Sequence, residues 1–186
     1  MSLDISIIIP TYNCKKDLDI LLESLENQIL KPAEVVVSDS SDDGGVENLL
    51  RERKGNLSIV YIKNNKRFPG EKRNLGVKSA KHKWIAFLDV GTVPKNDWLE
   101  KSSMKVLEGF DVIFGLTKYK SLNSFQNLLR AATFGRIGHE TSPGTLISKD
   151  NFILSGGFVE NVRAGEDEEW RFRIKKNNYK TFYPTT

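Results

Sequence analysis

The feature that most constrains this chain is an alternation of short β-branched runs with helical stretches over its first 116 residues. Ile5 to Ile9 is a β-branched run ended by Pro10, the pattern of a buried strand. Leu18, Leu21, Leu22, Leu25 and Ile29 then recur at helical spacing, with Asn13 placed to cap the segment and Pro32 to close it. Val35 to Val37 reads as a second strand, Val46 to Arg53 as a short helix and Leu57 to Ile62 as a third strand. Gly70 to Lys81 reads as a helix that buries Leu75 and Ala80. Trp84 to Leu88 is a fourth strand, Pro94 to Leu107 a helix and Val112 to Phe114 a fifth strand. This order predicts an α/β fold, a Rossmann-like and mostly parallel sheet flanked by helices on both faces. The 186 residues suffice for one domain but not two, and 39% apolar content is enough for its core.

Beyond residue 116 the pattern changes. Ser124 to Phe134 has the spacing of an amphipathic helix, with Phe125, Leu128, Leu129 and Ala132 on one side. Gly135 to Gly144 reads as a glycine-rich loop, and Leu146 and Ile147 as a short strand. Glu166 to Lys176 reads as a helix with Trp170 and Ile174 one turn apart. The chain stops at Thr186, just after a last predicted strand, as expected of a domain trimmed from a longer parent.

Parallel sheets bind ligands at the carboxyl ends of their strands. Those ends are Thr11-Tyr12-Asn13, Asp39-Ser40-Ser41 and Asp89-Val90-Gly91, all polar. Asp39 is placed to accept hydrogen bonds from a base or ribose, although Ser, Asp and Gly are also what turns use. Asp89 can hold a divalent cation shared with phosphates, since Mg²⁺ typically takes one or two carboxylates plus substrate oxygens. A turn aspartate before Gly91 is the plainer reading. In Gly70-Glu71-Lys72-Arg73-Asn74, Arg73 can pair with phosphate and Asn74 can orient a carboxylate. Lys72, Lys78, Lys81 and Lys83, with His82 among them, read as a solvated basic face. His139 beside Glu140 is a weak metal pair. Gly156-Gly157-Phe158 leads to a helix opening with Glu166, Asp167, Glu168 and Glu169. A helix N-terminus favours anions by about 0.3–1 kcal/mol. Asp167 therefore tends to stay ionised, which suits a base.

Several classes are excluded. Cys14 is the only cysteine, so there is no internal disulfide, and a reducing compartment suits the chain. No apolar run approaches the roughly 18 residues that span a bilayer, and no signal peptide is visible. No Gly-x-Gly-x-x-Gly follows the first strand, and there is no P-loop. The net charge of +4 comes from basic residues interleaved with acids. That is a solvated surface rather than a nucleic-acid face.

Taken in order, four segments resemble the family 2 glycosyltransferases, which have the GT-A fold. They are Ile7 to Asn13, Glu34 to Gly44, Arg73-Asn74-Leu75-Gly76 running on to Phe87-Leu88-Asp89, and Gly156-Gly157-Phe158 with Glu166-Asp167 and Arg173. The resemblance runs from residue 4 to about 183. It implies a nucleotide-sugar-binding half at 1–116 and an acceptor and catalytic half at 117–186. Pro10, Thr11, Tyr12, Asn13, Asp39, Ser41, Arg73, Asn74 and Asp89 would bind the donor. Asp167 would be the general base, with Glu166 beside it, and Mg²⁺ or Mn²⁺ would lie at Asp89. The implied reaction is inverting transfer from a nucleoside diphosphate sugar, UDP-sugar first and GDP-mannose second. The acceptor would be a glycan or lipid-linked hydroxyl, in the cytoplasm or at the inner face of the membrane. One departure stands out. Where the family has Asp-x-Asp, this chain has Asp89-Val90-Gly91. That leaves room for metal completion by Thr92 or water, and for an alternative identity as a catalytically weak nucleotide-sugar-binding module.

Overall fold

The computed structural model describes residues 3–118 and 139–184. Its elements follow the predicted alternation: β1 (Ile5–Thr11), α1 (Lys15–Glu26), β2 (Glu34–Asp39), α2 (Gly45–Glu52), β3 (Ile59–Lys63), α3 (Pro69–Ser79), β4 (Trp84–Phe87), α4 (Trp98–Leu107) and β5 (Val112–Thr117). Then come β6 (His139–Ser148), α5 (Lys149–Leu154), α6 (Glu166–Lys176) and β7 (Thr181–Phe182). The helix expected over Ser124 to Phe134 lies outside the described residues.

The seven strands form one sheet in the order β3-β2-β1-β4-β6-β5-β7. Strand β6 runs antiparallel to both its neighbours, and the other pairings are parallel. β1 and β2 are buried along their whole length, as central strands covered on both faces must be. Their side chains alternate between two cores. Ile5, Ile7, Ile9, Val35 and Val37 pack with Leu18, Leu22, Leu49 and Leu99 from α1, α2 and α4. Ile8, Val36 and Phe87 pack with Val77, Phe152, Trp170 and Ile174 from α3, α5 and α6. Helices therefore cover both faces, as expected. No helix among the described residues is long and apolar enough to cross a membrane.

Four local expectations need correction. α1 ends at Glu26, so Ile29 falls outside the stripe and is exposed. α4 starts at Trp98 rather than Pro94, after a turn closed by the Trp98 N–H on the Lys95 carbonyl. Leu75 is half-buried rather than core. The loop assigned to Gly135–Gly144 is, from His139 on, part of the ten-residue strand β6.

β6 decides where the site can form. It inserts between β4 and β5 and turns the chain so that α5 and α6 land on the same face as α3. The crossing is tight. The β5–β6 register slips between Ile113 and Gly115, and a Cβ on Gly115 would lie 1.9 Å from the Pro143 carbonyl oxygen. Backbone cannot yield there as a flexible side chain can. Gly115→Ala is expected to lower stability by about 1–3 kcal/mol, read as an earlier midpoint in urea. A midpoint equal to wild type would disprove the close approach.

Candidate active site

β1 lies between β2 and β4, where the chain has turned to opposite sides of the sheet. In a doubly wound sheet this is the crevice that takes a ligand. Thr11 and Asp39 sit opposite one another at its floor. The Thr11 hydroxyl donates to Asp39 Oδ1 at 2.9 Å, the Ser41 N–H donates to the same oxygen at 3.0 Å, and the Tyr61 hydroxyl donates to Oδ2 at 3.0 Å. Burial pushes the Asp39 carboxyl up, but hydrogen bonds from Ser41, Thr11 and Tyr61 outweigh it and hold it below its ordinary value. Asp39 is fully buried, and these donors are the protein's own. Its observed work is to shape the loop.

Asn13 takes a positive φ of 46°. Its N–H donates to Ser41 Oγ at 2.8 Å, and its side-chain oxygen accepts from the Asp42 N–H at 3.0 Å. This corrects its assignment as a helix cap. Cys14 holds the cap position, without a side-chain hydrogen bond. Tyr12 leaves its ring 55% exposed and donates its hydroxyl to Asp42 at 2.9 Å. That hydrogen bond, with the charge of Asp42, raises the phenol above its ordinary value.

The first turn of α3 departs most from expectation. Lys72 is not solvated. It is 5% exposed and donates to the Thr11 carbonyl at 3.0 Å and to Ser40 Oγ at 3.1 Å. Arg73 is 4% exposed and is taken up by carboxylates rather than left open for phosphate. One terminal nitrogen donates to both oxygens of Asp89, at 2.7 and 2.9 Å, and the other to Glu166 at 2.7 Å. Burial pulls the guanidinium down, but Asp89 and Glu166 outweigh it and raise it above its ordinary value. Asn74 brackets Phe158, donating to its carbonyl at 2.8 Å and accepting from its N–H at 3.0 Å. It also donates to Glu160 at 3.1 Å. In this arrangement Asn74 braces the Gly156-Gly157-Phe158 turn.

The turn fits only because it lacks side chains. Gly157 has φ +65°, and a Cβ there would lie 3.0 Å from Asn74 Oδ1. Arg173 closes the other side, donating to the Ser155 and Gly157 carbonyls and forking onto Glu169 at 2.6 and 2.7 Å. The four carboxylates opening α6 therefore meet different fates. Glu166 is buried against Arg73, Glu169 is clamped by Arg173 and Glu168 is exposed. Asp167 is half-buried, and among the described residues its carboxylate makes no hydrogen bond or ion pair. Arg173 holds the Glu169 carboxyl below its ordinary value by direct hydrogen bonding. Glu140, the weak metal candidate beside His139, pairs instead with Lys175.

The metal expectation can be tested on the donor set. Thr92 donates its hydroxyl to the Asp89 carbonyl at 2.6 Å, a bond that uses its hydrogen and leaves its oxygen lone pairs available. Among the described residues no three acidic, His or Cys side chains are grouped to hold a metal. Asp89 itself is about one third exposed, and Arg73 uses only part of the roughly four lone-pair positions of a carboxylate. The residues thus fit a divalent cation that takes one protein carboxylate and draws its other ligands from a bound diphosphate.

The family model described as Glycosyl transferase family 2 matches residues 6–165, a span that ends just before Glu166. The chain is 30% identical over 195 residues to the poly(ribitol-phosphate) beta-N-acetylglucosaminyltransferase TarS of Staphylococcus aureus, covering 92% of this chain and 32% of that protein. It is 36% identical over 182 residues to a chondroitin synthase of Escherichia coli, covering 93% and 24%. The chain thus spans about a quarter to a third of the length of these relatives. Among solved structures, TarS residues 1–349 superpose with a TM-score of 0.73 at 24% identity, covering 98% of this chain and 58% of that one. The mannosyltransferase PcManGT of Pyrobaculum calidifontis, solved with GDP-Man and Mn²⁺, superposes with a TM-score of 0.69 at 21% identity, covering 100% and 57%. Both show the same fold.

Arg73→Met leaves Glu166 buried without a counter-charge, and is expected to cost about 3 kcal/mol. Adding Glu166→Leu removes the orphaned charge and should recover much of that loss. Guanidinium denaturation of the single and double variants reads both. A single variant as stable as wild type would remove the bridge from the account.

Proposed function

Because the chain belongs to glycosyl transferase family 2, we propose that it is the donor-binding and catalytic portion of an inverting glycosyltransferase. The observation that carries this reading is the contrast between Glu166 and Asp167. The first is spent on Arg73, while the second opens the same helix with its carboxylate unpaired among the described residues. A base must be free to accept, and among the described residues no group occupies the Asp167 oxygens at the first turn of α6.

The nucleoside lies over the ends of β1 and β2. The exposed Tyr12 ring offers it an apolar face, and the loop shaped by Asp39, Asn13 and Ser41 holds its polar edge. The diphosphate lies toward Asp89. The acceptor hydroxyl gives its proton to an Asp167 oxygen as its own oxygen attacks the anomeric carbon. The bond from that carbon to the diphosphate breaks on the opposite face, and the nucleoside diphosphate leaves with the electron pair. One displacement inverts the anomeric centre. A base of this kind contributes about 10²–10⁴-fold. Mg²⁺ or Mn²⁺ held at Asp89 would neutralise charge on the departing diphosphate.

The donor we assign is a UDP-sugar, with GDP-mannose second. TarS has been solved in complex with UDP-GlcNAc and PcManGT with GDP-Man. The acceptor is a glycan or lipid-linked hydroxyl. Its placement at the cytoplasmic face of a membrane rests on the family alone.

Two outcomes are expected. Asp167→Asn should abolish transfer while leaving the nucleotide dissociation constant within about threefold of wild type, since it alters the base and not the donor loop. Transfer at the wild-type rate would overturn the assignment of the base. In calorimetric titration, Mn²⁺ alone should show no saturable binding but should bind when UDP or GDP is present, and Asp89→Ala should remove that effect. Tight Mn²⁺ binding without nucleotide would contradict a one-carboxylate site.

A further inference from the structure

Among the described residues, Lys72 is the one buried cation in the crevice that the proposed chemistry leaves without a task. Its neighbours in α3 are all accounted for. Glu71 reaches back to the Phe68 N–H at 3.0 Å, Arg73 joins Asp89 to Glu166, and Asn74 braces Phe158. Lys72 forms no ion pair among the described residues, although it is only 5% exposed. Asp39, the carboxylate whose charge acts on it most, already accepts from Thr11, Ser41 and Tyr61. A buried ammonium without a direct counter-ion is costly, because the charge leaves water without an opposite charge to replace it. Stability therefore does not explain it.

Its two acceptors do. The Thr11 carbonyl closes β1, and the Ser40 hydroxyl opens the loop after β2. One ammonium thus ties together the two strand ends over which the nucleoside is placed. The same group lies 5.7 Å from the centre of the exposed Tyr12 ring, within cation–π reach.

We propose that Lys72 is a positioning residue for the donor. It acts through Thr11, Ser40 and Tyr12 to hold the nucleoside loop in its binding shape, without taking part in bond making. This inference rests on the donor-site reading above and deepens it.

The test is Lys72→Met, similar in length and uncharged, beside Lys72→Arg. In Lys72→Met the dissociation constant of the bound nucleoside diphosphate should rise about ten- to a hundredfold, from the loss of hydrogen bonds made by a charged group. The turnover rate at saturating donor should fall less than about threefold, and the melting temperature should hold or rise. Amide exchange over residues 11–13 and 40–45 should quicken without any ligand. Lys72→Arg should restore most of the affinity. Wild-type affinity in Lys72→Met, or weakened binding that only tracks a lower melting temperature, would overturn the positioning role and leave the donor site standing. Failure of the wild-type protein to bind either UDP or GDP would overturn the donor site itself, and the positioning role with it.

Discussion

A single buried guanidinium organises this molecule. Arg73 stands on α3 between the end of β4 and the start of α6, and joins Asp89 to Glu166 through paired hydrogen bonds. Direct attraction in a poorly polarisable setting is strong, yet taking the charges out of water costs nearly as much. Such a bridge is better understood as setting geometry than as adding stability. It sets the geometry that matters here, because Asp89 belongs to the sheet and Glu166 to the helix that carries Asp167. Phe158 lies beneath the guanidinium, 5.3 Å from ring centre to Arg73, and extends the same contact into the core.

That core is aromatic. Phe87, Phe152, Phe158 and Trp170 pack with ring centres 5.0–5.9 Å apart, tilted or edge to face, as such rings prefer. One ring comes from β4, one from α5, one from the glycine turn and one from α6. The cluster therefore fixes the turn and helix α6 to the strand that leads into Asp89. Helix α3 approaches closely enough that a Cβ on Gly70 would lie 2.6 Å from the Val159 carbonyl, and one on Gly76 2.6 Å from Ile8 Cγ2. Glycines here permit contact between layers rather than unusual backbone angles.

The sheet and its helices were legible because local periodicity encodes them. The β-branched runs of β1 and β2 and the leucine stripe of α1 each announce an element on their own. β6 was not legible. Its pairing with β4 and β5 is long-range, and its Thr141-Ser142-Pro143-Gly144 stretch has the composition of a loop. The site divides in the same way. Asp39, Asp89 and the carboxylates of α6 stand out as polar residues at element ends. Lys72 does not, because a helix that buries charge has no amphipathic pattern and its lysines resemble a wet surface, and Arg73 stands out only as a phosphate partner, not as a buried bridge between two carboxylates. A signal was present in Gly70 and Gly76, two small residues flanking the charges at spacings that let a helix sink against its neighbours. Asn13 was misplaced for a related reason. Asparagine serves caps and left-handed turns equally well, and only the distant Ser41 and Asp42 decide between them.

The absent second carboxylate after Asp89 follows from the backbone rather than from crowding. Gly91 adopts φ +84° with nothing within 4 Å of a Cβ built on it, so space is not the obstacle. A residue with a side chain would carry left-handed strain of about 1 kcal/mol in that conformation. The Thr92 hydroxyl and N–H both fold onto the Asp89 carbonyl and hold the turn in this shape. The turn thus secures its own geometry and leaves Asp89 as the only acid it presents. Arg73 then keeps that acid aimed through two hydrogen bonds, without a second carboxylate beside it. Under the proposed reaction, the positive charge that a departing diphosphate requires would accordingly arrive with the diphosphate. This joins the chain's departure from its family to the buried bridge on which the site is built.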